Sequence, residues 1–284
     1  MCVPLRAGGF MQGRASVVVH EDDVGMCHGA NVAFSELSRL GICTSGSVMV
    51  PCPWFLEVAE MQARNSRLDI GVHLTLTAEK RFYRWRPLTG SSPASGLVDG
   101  DGYFWRTAQE LRRHAHVDAV EAELRAQMEA AAKAGIDITH IDGHMFTVYC
   151  PDYIDIYVRL GREYRVPVLL VRQRNAYGNM QGGPAVDAAI AAADAAGHPV
   201  FDIVLETPWT RGASLEADYD ALLARVEPGL NYMALHFNAP GELEAIEPDS
   251  AHIRTGEYDL FRRDDFQARM AANYALTGMR PFRD

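Results

Sequence analysis

Short runs of apolar, mostly β-branched residues recur along the chain, and between most of them the apolar positions switch to three- and four-residue spacing. Residues 15–20 (ASVVVH) form the first run, bounded by acidic residues and Gly25, and residues 31–40 follow with helical periodicity. Together they predict one strand and one helix. Further strands are predicted at 46–50, 70–77, 136–142, 166–171, 201–205 and 232–237. The longest helical pattern covers 107–134, where Leu111, Val120, Leu124, Met128 and Ala131 share a face and Gly135 supplies the stop. A second helix, 185–196, ends at Gly197. Strands alternating with helices predict a mainly parallel sheet covered on both sides, and about seven such units suffice to close a (β/α) barrel.

Two stretches break the alternation. Residues 78–104 hold Arg84-Trp85-Arg86-Pro87, Ser91-Ser92-Pro93 and Asp99-Gly100-Asp101-Gly102, and residues 238–259 are again rich in Gly, Pro and acidic side chains. Excursions of this length and composition read as functional loops. In a parallel β/α barrel the strand C-termini gather at one face, where such folds place their chemistry. Asp22, Asp23, His73, His144 and His236 all fall at or just past predicted strand ends.

Length and composition narrow the picture. With 284 residues, 48% apolar and 23% charged, the chain fits one barrel domain over 15–284 preceded by a flexible lead-in, 1–14. A formal charge of −10 argues against a nucleic-acid partner, which would need clustered Lys and Arg. Cys2, Cys27, Cys43, Cys52 and Cys150 are scattered without CxxC spacing and suit reduced thiols. Residues 1–15 lack the unbroken apolar segment of a signal peptide, and no later run approaches a membrane span. A cytoplasmic location is the expectation.

The candidate chemistry is carried by a few side chains. Neighbours on an extended segment point in different directions, so Asp22 and Asp23 are expected to have two roles, one binding a metal and the other serving as a general base. The alternative is an N-cap for the following helix, with Gly25 as turn residue. In Gly71-Val72-His73-Leu74-Thr75-Leu76 strict alternation sets His73 and Thr75 on the face opposite Val72, Leu74 and Leu76. A lone histidine there is more often a structural hydrogen-bonding residue than a ligand, and needs partners to count as one. In Thr139-His140-Ile141-Asp142-Gly143-His144, the side chains of His140, Asp142 and His144 share parity, and Gly143 permits a sharp exit. That spacing suits a divalent metal and the groups behind its ligands, though only some of the three need be ligands. His236 faces the barrel interior while Met233, Leu235 and Phe237 pack outward, which places a proton carrier where a leaving amine can be protonated; taken singly it too can be structural. His28, His114, His116, His198 and His252 lack such company and are assigned no role.

These segments, taken in order, resemble the YdjC-like carbohydrate deacetylases, the group that includes chitooligosaccharide and hopanoid-biosynthesis deacetylases. His20-Glu21-Asp22-Asp23-Val24-Gly25 is similar to the family's N-A-D-D-F-G, and Gly29-Ala30-Asn31, Thr44-Ser45, Gly71-Val72-His73-Leu74 and Thr139-His140-Ile141-Asp142-Gly143-His144 carry the likeness across most of the chain. The segment from Leu97 to Phe104 looks like the family's substrate-side loop. The departures are His20 and Val24 where the family has Asn and Phe, Phe237-Asn238 where Pro-Gly is frequent, and Met145-Phe146-Thr147 in place of further histidines.

The resemblance implies a seven-stranded (β/α) barrel related to the polysaccharide deacetylases, with Asp23, His73 and His144 as metal ligands, Asp22 as catalytic base and His236 as the C-terminal histidine. It implies a hydrolase that removes an N-acetyl group from an amino sugar or short oligosaccharide by attack of a water held on the metal. One divalent ion is expected, Zn²⁺ by preference for two imidazoles and a carboxylate, with Mg²⁺ or Mn²⁺ as alternatives, and no organic cofactor. His20, His140, Asp142, Asp99, Asp101 and Arg172 are the expected supporting or substrate-loop residues. The partner is then an N-acetylated carbohydrate, with a homodimer compatible. Two rival readings remain: a 2-His-1-carboxylate Fe(II) oxygenase, and a non-catalytic sugar-binding module with Trp85, Tyr103 and Trp105 as stacking surfaces.

Overall fold

A computed structural model describes residues 14–173 and 180–283, so all of the expected lead-in except Arg14 lies outside the described residues. Arg14 itself donates to the carbonyls of Ala271 and Ala272 at 2.9 and 3.3 Å. The elements run β1 (Ser16–Val24), α1 (His28–Leu40), β2 (Ser45–Val48), α2 (Phe55–Arg64), β3 (Ile70–Leu74), α3 (Ala108–His114), α4 (Val117–Lys133), β4 (Ile138–Gly143) and α5 (Ile154–Tyr164). They continue as β5 (Val171–Gln173), α6 (Pro184–Ala196), β6 (Phe201–Glu206), α7 (Leu215–Leu223), β7 (Leu230–Leu235), α8 (Leu243–Ile246), α9 (Ala251–Phe261), α10 (Asp264–Asn273) and β8 (Ala275–Leu276).

The strands order as β4-β3-β2-β1-β7-β6-β5, every pair parallel, with the short β8 also on β1. The two ends of this sheet meet. Just before β5, Ile141 N donates to Pro167 O and Leu169 N to Ile141 O, both at 3.0 Å, so the seven strands curl into a barrel whose seam is this bridge. β1 is the central strand, buried along its whole length, because β7 covers one edge while β2 and β8 divide the other. All-buried parallel strands explain the continuous apolar run at its start.

Three differences from the sequence pattern have clear causes. The helix expected over 107–134 is two, α3 and α4, broken where Ala115 and His116 are extended. There His116 N bonds to Ser95 O, and Gly96 lies so close to the His114 carbonyl that a Cβ would collide with it. The loop expected at 238–259 contains α8 and most of α9. The strand expected at 166–171 becomes mostly the barrel seam, with regular pairing starting only at Val171. No helix among the described residues is long and apolar enough to cross a membrane. Cys27, Cys43, Cys52 and Cys150 are free and buried.

Candidate active site

At the end of β1 the pairing with β2 slips: Glu21 faces Gly46 and Val24 faces Val48, so Asp22 and Asp23 together oppose the single residue Ser47. Asp23 takes up this bulge at φ 61°. A non-glycine residue there costs about 1–3 kcal/mol and is tolerated best by Asp and Asn. The bulge overturns the expectation that adjacent Asp side chains must diverge, since both line one pocket. Gly25, at φ 85°, turns the chain away, and Asn31 holds that turn by accepting from Gly25 N at 2.7 Å.

The pocket, of about 430 Å³, is lined by Asp22, Asp23, His73, His144 and His236 together with Glu79, Lys80, Met145, Phe146, Glu206, Trp209, Glu247 and Arg254. That volume falls in the ordinary range for small-molecule sites. Four strand ends deliver the expected side chains: β1 the Asp pair, β3 His73, the exit of β4 His144 and the exit of β7 His236. The sharp turn after β4 is made by Met145 and Phe146, both at φ 51°, and not by Gly143, which is extended. Gly143 is needed for space, because a Cβ there would sit 2.6 Å from Val148 Cγ2.

Asp23, His73 and His144 can each offer a ligand atom within 4.8 Å of the others. Asp23 Oδ1 is buried and has no hydrogen-bond partner, yet it lies 3.1 Å from His144 Nδ1 and 3.6 Å from His73 Nε2. The opposite nitrogens are held by carboxylates, His73 Nδ1 by Asp142 at 2.9 Å and His144 Nε2 by Glu79 at 3.0 Å. Each carboxylate fixes a proton on the far nitrogen and aims the near nitrogen at Asp23, the arrangement that orients metal-bound imidazoles once a cation displaces any proton there. The second Asp23 oxygen accepts from Arg254 at 2.8 Å. Burial works against the charge on Asp23, but His144 and Arg254 hold its carboxyl well below the usual range. For His144 burial is likewise outweighed, by Glu79 and Asp23, and the imidazole is raised to about 9. The donor set fits a divalent cation.

Asp22 adjoins this cluster, with a carboxylate oxygen within 4.8 Å of a His73 ring nitrogen. Its Oδ2 is 4.0 Å from His236 Nε2 and its Oδ1 is 3.4 Å from His20 Nε2. Burial, with Asp142, Asp23 and Glu206 nearby, pushes its carboxyl well above the usual range. His236 is pushed well below the usual histidine value by burial and by Arg254. Its Nδ1 lies 2.8 Å from Thr207 Oγ1, and the Trp209 ring packs against it at 4.7 Å.

Behind the pocket the barrel interior is polar. His20 Nε2 reaches Asp142 Oδ2 and Ser47 Oγ at 3.0 Å, its Nδ1 reaches Ser45 Oγ at 2.8 Å, and Tyr232 OH donates to Asp142 at 3.0 Å. Asp142 therefore joins His73 to His20. His140 is deeper: its Nδ1 meets Thr139 Oγ1 at 2.8 Å and its Nε2 abuts Gly71, where a Cβ would approach to 2.5 Å. Burial and His20 lower its imidazole to about 3.

Several expected supporting residues lie elsewhere. Asp99 pairs with Arg84 at 2.7 Å and caps its own turn through Asp101 N, so Asp99 and Asp101 shape the loop and do not line the pocket. Arg172 is exposed and forks onto Asp194 at 2.8 and 2.7 Å. Trp85 is buried and donates to Thr77 O, Trp105 stacks on His114, and Tyr103 lies under Arg84 and Arg86. None of the three lines the pocket; Trp209 does, at 38% exposure, with the Arg254 guanidinium over its ring at 5.2 Å and the His236 ring at 4.7 Å. Glu79, Thr207 and Trp209 follow strand ends, and the rule that singled out the histidines applies to them as well. Arg254 and Glu257 sit on α9 and carried no such signal.

A separate cavity of about 220 Å³ lies at the other end of β5 and β6, between α5 and α6, lined mainly by Val158, Val166, Val168, Leu170 and Ala193. It brings together no catalytic groups.

The model of the YdjC-like protein family matches residues 16–272. A carbohydrate deacetylase from Thermus thermophilus is 40% identical over 158 residues, 56% of this chain and 54% of that protein. A chitooligosaccharide deacetylase from Yersinia enterocolitica is 30% identical over 159 residues, 55% of this chain and 59% of that protein. The chain thus spans little more than half the length of these curated relatives. Among solved structures, a putative cellobiose-phosphate cleavage protein from Enterococcus faecalis superposes with a TM-score of 0.76 at 19% identity, covering 96% of this chain and 100% of that one.

Proposed function

The chain belongs to the YdjC-like family, and from that premise we propose that it is a metal-dependent hydrolase that removes N-acetyl groups from amino sugars or short oligosaccharides. The observation that carries the reading is the unpartnered Asp23 Oδ1 facing two imidazoles whose far nitrogens are each fixed by a carboxylate. Asp23, His73 and His144 would hold the ion, Zn²⁺ by preference. When bound, it supplies Lewis-acid polarisation to the amide carbonyl and the hydrolytic water.

The remaining steps belong to the chain's own groups. Asp22, with a raised carboxyl and a free Oδ1, accepts the proton of the attacking water. The 4.0 Å separation from His236 Nε2 supports a handover of that proton to His236, which delivers it to the departing nitrogen; acetic acid and a free amine, which ionise to acetate and an ammonium, leave with no net proton change on the protein. Trp209 supplies a part-exposed aromatic edge at the rim that a sugar can contact. Arg254 pins Asp23 in its bulge.

Acetate release from a panel of N-acetylated mono- and oligosaccharides, after metal stripping and with single metals restored, tests the reading. Turnover that survives stripping would reject the metal, and His144→Ala that retains stoichiometric metal would remove it from the ligand set. Failure on every amide substrate, with sugar binding intact, would leave a binding protein.

A further inference from the structure

Behind His236 lies a buried chain of polar groups from three elements that the hydrolytic reading does not use. Thr207, just past the end of β6, places Oγ1 2.8 Å from His236 Nδ1 and donates its hydroxyl to both carboxylate oxygens of Glu257, at 2.9 and 3.2 Å. Glu257, on α9 and fully buried, also accepts the backbone N–H of His236 at 2.7 Å and the hydroxyl of Tyr219. Of these neighbours the backbone N–H can only donate, and the two hydroxyls donate to Glu257 when it is ionised. Burial raises that carboxyl to about 8; above that value the single threonine hydrogen points to Glu257, and the Oγ1 lone pair accepts from His236 Nδ1–H. That leaves the Nε2 lone pair directed at Asp22.

We infer that Thr207 and Glu257 are positioning residues that act through His236, locking it as the Nδ1–H tautomer with Nε2 turned to the reacting groups and balancing the ring's charge when Nε2 carries the proton. The inference rests on the reading of His236 as proton donor for its functional consequence, but the tautomer and orientation follow from the hydrogen-bond chain alone. An acid held through a hydroxyl relay differs from one paired directly with a carboxylate, because the threonine oxygen both accepts from the ring and donates onward. Valine, which matches threonine in shape, abolishes both functions, and serine restores them. α9 then serves both sides of the pocket, since Arg254 and Glu257 are one turn apart and hold Asp23 and His236 respectively.

The test uses the full chain loaded with Zn²⁺ and its Thr207→Val, Thr207→Ser and Glu257→Gln variants, with thermal unfolding to confirm that each is folded. In long-range ¹H–¹⁵N spectra recorded at about pH 9, above the raised Glu257 value, the wild-type His236 ring is expected as the Nδ1–H tautomer, lost or mixed in Thr207→Val and recovered in Thr207→Ser. On an N-acetylated oligosaccharide, Thr207→Val should lower kcat about tenfold with KM nearly unchanged, a fraction of the ~10²–10⁴-fold that a positioned acid contributes. Thr207→Ser should restore most of it, and Glu257→Gln should fall between. An Nε2–H ring in the wild type, or a ring state unaltered in folded Thr207→Val, overturns the inference whatever the activity. If His236→Ala keeps full kcat while the wild-type ring is Nδ1–H, the proton-donor reading falls and the relay stands as a structural device.

Discussion

The two sides of the pocket are built on different principles. On the side of Asp23, His73 and His144, each imidazole is backed directly by a carboxylate, Asp142 or Glu79, and Asp23 by the guanidinium of Arg254. On the side of Asp22 and His236, the histidine is backed through a hydroxyl, and the Asp22 Oδ1 has no hydrogen bond, with His20 Nε2 3.4 Å away. A cluster that gathers a cation needs its charges fixed and compensated before the ion arrives. Groups that exchange a proton during a reaction are left without fixed counter-charges, and burial favours the neutral form of both, raising Asp22 and lowering His236.

The largest effect that would sharpen this contrast is expected from Asp22→Asn. It should lower kcat by ~10²–10⁴-fold while metal content by elemental analysis stays stoichiometric; a parallel loss of metal would merge the two sides into one. Next is Arg254→Met, which strips the counter-charge from buried Asp23 and Glu247. Breaking a buried pair in this way costs roughly 3–5 kcal/mol, to be read as a lower denaturation midpoint of the metal-free protein and relieved in part by added metal.

Asp142→Asn should weaken metal affinity by about 10–100-fold, measured by competition with a chelating dye, because His73 loses the acceptor that fixes its tautomer. Unaltered affinity would show that Asp142 serves only His20 and Tyr232. Smallest is Trp209→Ala, for which KM should rise roughly 3–10-fold with kcat preserved, the signature of binding shared equally by ground and transition states. A fall in kcat instead would mean that the ring holds His236 in place.

Much of this was legible in the chain. The βα alternation foretold the barrel, and the strand-end rule singled out Asp22, Asp23, His73, His144 and His236, because strands buried on both faces write themselves as β-branched runs and parallel topology sends every C-terminus to one face. His140 and Asp142 were marked by parity and His20 by its place beside the Asp pair, and the structure places all three in the barrel interior. Asp99, Asp101 and Arg172 were expected as supporting or substrate-loop residues, and they make local ion pairs or turn contacts away from the pocket.

Only the tertiary structure decided the rest. α9 buries Arg254 and Glu257 among Ile253, Tyr258, Leu260 and Phe261, so its inward face is partly charged and breaks the apolar periodicity by which a helix is recognised. The bulge that turns both Asp side chains into one pocket arises from a slipped register against β2, a property of two strands together. Partners such as Asp142 with His73 lie 69 residues apart, and Arg254 with Asp23 lie 231 apart. Local pattern reports which residues a strand presents; which charges meet across the barrel is set by closure, and closure is a property of the whole chain.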